Sequence, residues 1–117
     1  MKTWEWIANS AVEAFIFSLG VKMRRSFDER LSLVRDALKE LTEVVQMARG
    51  AASYFSEKDA REAELLIRRL QEAVIRAHRL RERRRYSDAI DALQETLAET
   101  ASSPLITPAL RAKIIRF

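Results

Sequence analysis

The sequence predicts an all-α fold: a small helical bundle built from two helical hairpins plus a short C-terminal helix, in a single domain spanning residues 1–117. Three observations carry this. Hydrophobic residues make up 48% of the 117, enough to build a real core. Only two glycines and two prolines punctuate the chain, whereas sheets need frequent turns. The apolar positions recur at three and four residues, the period of an amphipathic helix.

The first predicted helix runs from about Trp4 to Arg24. Trp4, Ile7, Ala8, Ala11, Val12, Phe15 and Leu19 form one stripe, while Trp6, Ile16 and Phe17 lie off it. A helix that is apolar on more than one face needs more than one neighbour. Gly20 is a candidate end. The stretch "SFDE" at 26–29 then reads as a capping box, so a second helix is expected to start at Ser26 and to run to about Ala48. Its expected buried positions are Leu31, Val34, Leu38, Leu41, Val45 and Met47, and Arg49-Gly50 is its stop.

Ser56 caps the third predicted helix, with Asp59 at the acidic position of the box. This helix extends from about Glu57 to Arg84. Ala63, Leu66, Ile67, Leu70, Ala73, Val74, Ala77 and Leu80 form its apolar arc. Ser87 is expected to cap the fourth, about Asp88 to Ala101, which buries Ile90, Leu93 and Leu97. Thr107 followed by Pro108 marks a last short helix, because proline suits the first helical position. That helix carries Leu110, Ile114 and Ile115.

The stretch 26–41 aligns with 85–99 at an offset of 59 residues, pairing Phe27 with Tyr86. "YSDAIDALQETL" resembles the second helix of a tetratricopeptide repeat, with an aromatic at its start and the small Ala89 three positions on. The resemblance implies a helical hairpin over residues 70–103, with Ala77 at the helix crossing. The chain departs from that pattern at Ala73, Arg76 and Ala77, where the family carries tryptophan and leucine-glycine.

The chemistry that is missing narrows the function. With no cysteine there are no disulfides, no thiol catalysis and no cysteine-bound zinc. The single histidine, His78, is expected at the edge of the apolar arc, half-buried among arginines, and not as a catalytic group. No HExxH, phosphate-binding loop or dinucleotide fingerprint occurs. The carboxylates pair with bases at helical spacing, as Asp36 does with Lys39 and Glu57 with Arg61. Catalytic residues, metal ligands and a cofactor are therefore not expected.

Two surfaces remain. The first is the arginine stripe of the third helix, Arg69, Arg76, Arg79 and Arg83. Residues 61–85 hold nine bases and four acids, so the excess charge of the +4 chain lies in this segment. Arginine makes forked contacts with phosphate, which suits an anionic partner. Glu72 interrupts the stripe, however, and no aromatic interleaves it for base stacking. Nucleic acid is thus the second reading. The other surface is the aromatic N-terminus, Trp4, Trp6, Phe15 and Phe17. Tryptophan and phenylalanine are favoured interface anchors, so self-association or docking on a protein partner through this helix is the first reading. A membrane partner is not favoured, because the polar face of this helix offers acids and few bases. No basic leader with a cleavage site is legible, and a cytoplasmic location is expected.

Overall fold

The computed structural model describes the backbone of residues 2–50 and 54–116, and the side chains of 20–50 and 54–116. It contains four helices: α1 (Lys2–Ala48), α2 (Glu57–Glu82), α3 (Tyr86–Ala101) and α4 (Pro108–Ile115). The chain is an all-α bundle. Arg49, just past the end of α1, pairs with Glu64, and Phe27 meets His78, so α1 and α2 run antiparallel. Arg69 of α2 pairs with Glu99, so α2 and α3 are antiparallel as well. The short α4 packs across α1 and α3.

The first two predicted helices are one. α1 passes through Gly20 and Ser26 without interruption, and Ser26 is not a cap. Its hydroxyl instead accepts from the Arg30 guanidinium, which reaches on to Gln94 Oε1 at 3.0 Å and ties α1 to α3. Phe27 is 0% exposed and opens the heptad seam Phe27, Val34, Leu41. It would hold that place whether the helix began at Ser26 or upstream of it. Because the helix continues upstream, the amides that a cap at Ser26 would serve find intrahelical carbonyls, and the hydroxyl is left for Arg30.

The buried stripe of α1 is also turned relative to expectation. Ala37 and Val44 accompany Val34 and Leu41 in the core, whereas Leu31, Leu38 and Val45 lie at its margin. Met47 is 51% exposed. Periodicity alone could not decide between the two flanks of Val34 and Leu41, since both are apolar.

The seam of α2 matches its predicted arc. Ala63, Leu66, Leu70, Ala73 and Ala77 are buried, with Ile67, Val74 and Leu80 half-buried beside them. Small side chains such as these alanines allow helix backbones to approach closely. Leu41, Leu70, Leu93 and Leu97 fill the layers between them and are fully buried. Ser56 caps α2 in the predicted box: its hydroxyl accepts from Asp59 N–H at 3.2 Å, and the Asp59 carboxylate accepts from Ser56 N–H at 2.9 Å.

The α2–α3 corner differs from the expected Ser87 cap. Arg84 takes a left-handed conformation, φ 59°. Arg85 N–H then donates to Leu80 C=O and Arg84 N–H to Arg81 C=O, both at 2.9 Å. These two bonds form a Schellman closure, which usually places glycine at the left-handed position. The chain has reversed by Arg85, so α3 starts at Tyr86 and Ser87 falls inside its first turn. Arg85 is the cap residue but makes no side-chain cap bond; its Nε pairs with Asp88 at 2.7 Å.

Two polar clamps hold α4. Glu40 of α1 accepts from Thr107 N–H at 2.9 Å and from its hydroxyl at 3.0 Å. Thr107 in turn caps α4 through Leu110 N–H, as predicted. Arg111 donates to the carbonyls of Ala101, Ser103 and Ile106 at 2.8–3.1 Å. It thereby satisfies the carbonyl end of α3 and the loop that follows, which no later turn could reach. Leu110 and Ile114 point into the core, while Ile115 is 71% exposed.

Candidate interaction surfaces

The predicted arginine stripe is divided by the fold. Arg69 forms an ion pair with Glu99 of α3. Arg76, about two turns further on, lines a polar groove of about 260 Å³ with Glu72, Glu95 and Glu99. The antiparallel hairpin causes this. It brings Glu95 and Glu99, on the outer edge of α3, alongside the lower half of the stripe. Arg79 and Arg83 lie past the acidic edge and make no ion pair among the described residues.

The upper half of the stripe acquires neighbours from elsewhere in the chain. The Arg81 guanidinium sits 5.1 Å above the Phe27 ring, and His78 meets the same ring edge-on at 5.7 Å. His78 is exposed, not half-buried, and the arginine and the ring share the cover of Phe27. Arg24 and Arg25 precede Phe27 by three and two residues, within one turn of helix. They line a shallow hollow on α1 with Val21, Asp28, Glu29 and Ser32. The contact between residues 27 and 81 is long-range, and no local signal announces it.

The aromatic set Trp4, Trp6, Phe15 and Phe17 lies outside the residues whose side chains are described. The backbone of that segment belongs to α1. α2 ends at Glu82, close to the level of Phe27, so roughly 20 residues of α1 extend about 30 Å beyond the turn of its partner. The principal extents, 78 × 26 × 17 Å, reflect that length.

A shallow, mainly apolar groove of about 590 Å³ opens between α3 and α4, lined by Ala98, Pro104, Ile114 and Ile115 among others. Among the described residues no group of three or more His, Asp or Glu is placed to hold a metal ion. No helix among them is long and apolar enough to cross a membrane. Compared with family models, characterised proteins and solved structures, the chain matches none.

Proposed function

We propose that this chain is a non-enzymatic protein–protein interaction module that self-associates through the aromatic N-terminal half of α1. One observation carries the reading. α1 continues for about 20 residues past the level where α2 turns back, and that stretch of sequence contains both tryptophans of the chain and two of its five phenylalanines. Apolar helix surface outside the reach of its own bundle is stabilised by burial against a second chain. The remaining helices supply a scaffold in which no described buried side-chain polar atom lacks a partner. The α2–α3 hairpin, which resembles a tetratricopeptide hairpin in its aromatic start and small crossing residues, fits the same class of function.

Nucleic-acid binding along the stripe is disfavoured because two of its four arginines face acids of α3. Light scattering at tens of micromolar protein tests the proposal. A dimer or larger mass is expected, with release of monomers in the Trp6→Gln/Phe17→Gln double variant. A monomer mass for the unaltered chain would refute it.

A further inference from the structure

We infer that the groove between α3 and α4 is a binding site for a small amphiphilic monocarboxylate, of the chemical class of a medium-chain fatty acid. The inference stands apart from self-association and uses different residues.

The groove is built from two facing stripes. Gln94, Ala98 and Ala101 share one face of α3, and Arg111, Ile114 and Ile115 share one face of α4. Ile114, 1% exposed, and Ala101, 6% exposed, form the floor. Ala98, Pro104 and Ile115 are exposed along the rim. The volume, about 590 Å³, lies in the range of small-molecule sites. Apolar side chains left open in a concave surface are stabilised when an apolar ligand displaces water from them.

One charge decides the class of ligand. Among the described residues that line the groove, Arg111 alone is charged. It is half-buried and makes no ion pair among the described residues. Its Nε donates to Ala101 C=O at 2.8 Å, and its Nη2 donates to Ser103 and Ile106 C=O at 3.0 and 3.1 Å. Both N–H groups of Nη1 are left without a hydrogen bond among the described residues. The carbonyls offset the charge only in part, since even a whole helix end carries about half a unit. A carboxylate completes the balance, with one negative charge and a planar acceptor suited to a guanidinium. A phosphate monoester would bring nearly two charges to a single base. The bond to Ala101 sets Arg111 at the loop end of α3, while Ala98 and Gln94 lie about one and two turns back along that helix. An acyl chain attached to the bound carboxylate therefore runs past Ala98 and Ile115. α4 is eight residues long, about 12 Å. That matches the reach of a medium-chain acyl group. It is a short wall for a protein partner, which buries about 800 Å² on each side of a stable interface.

Methyl-detected NMR of the full chain, titrated with decanoate below its micelle concentration, tests this. The Ala98, Ile114 and Ile115 methyls should shift and saturate below about 1 mM ligand. Decanol, which lacks the charge, should bind about tenfold more weakly, the usual contribution of a charged hydrogen bond. Decylammonium should shift these methyls least. Ala98→Trp fills the groove from an exposed position and should abolish the shifts at Ile114 and Ile115, with circular dichroism checking that the helices remain. Arg111→Gln should lower decanoate to the affinity of decanol, and persisting decanol binding shows that α4 is still docked. The Trp6→Gln/Phe17→Gln variant should bind decanoate as the unaltered chain does, so failure of one reading leaves the other standing. Equal affinity for decanoate and decanol, shifts confined to other methyls, or an Ala98→Trp variant that binds as before would overturn the inference. So would tighter binding of an acidic amphipathic peptide at the same methyls, which would make the groove a protein contact.

Discussion

Arg84→Gly should stabilise this protein, although it deletes a side chain and a charge. Arg84 holds φ 59°, in the region where a Cβ crowds the neighbouring carbonyl. A non-glycine residue loses about 1–2 kcal/mol there. Glycine relieves that strain but makes the unfolded chain more flexible, which takes back about 0.5–1 kcal/mol. The net gain is about 0.5–1 kcal/mol. Little offsets it: Arg84 is exposed and makes no ion pair among the described residues, and both closing bonds, to Leu80 and Arg81, use backbone atoms that glycine retains. Urea unfolding followed by helical circular dichroism reads the change, with the midpoint rising at an unchanged slope. For a chain of this size the thermal midpoint should rise by about 2–5 °C. Arg84→Val is the matched control, because a β-branched residue suits the left-handed region worst, and its midpoint should fall. A lower midpoint for the glycine variant would refute the left-handed closure and with it the start of α3 at Tyr86.

Other substitutions test other parts of the fold. Ser56→Ala should cost about 1 kcal/mol by removing the cap of α2, whereas Ser26→Pro should cost about 3 kcal/mol because it falls inside a continuous helix; at a true cap, proline would be tolerated. Denaturant midpoints of the two variants compare them directly. Arg111→Ala should cost about 2 kcal/mol, since three carbonyls lose a charged donor. Amide hydrogen exchange in that variant should quicken in α4 and the 102–106 loop before it quickens in α2, and uniform exchange across the bundle would argue against a local clamp.

Local patterns in the sequence determined the helical class, the cap at Ser56, the start of α4 at Thr107 and the buried arc of α2. Each depends on residues within about one or two turns of one another, where side-chain direction follows from helical geometry. The seam of α1 was legible only in part, because Leu31 and Leu38 are as apolar as the positions that won, and only the placement of α2 and α3 chooses between them. The break expected at Ser26 failed because a capping box is needed only at a true helix start: where the helix continues upstream, intrahelical carbonyls take the amides the cap would serve. The corner at Arg84 was hidden by chemistry: a Schellman turn without glycine has no composition signal. Tertiary structure alone decided how the arginines divide. Arg69 and Arg76 meet the acids of α3, Arg81 covers Phe27 across more than 50 residues of sequence, and Arg79 and Arg83 make no ion pair among the described residues. Charge counts along a chain cannot anticipate this, because electrostatic neighbours are set by distance in space, and helix packing sets that distance.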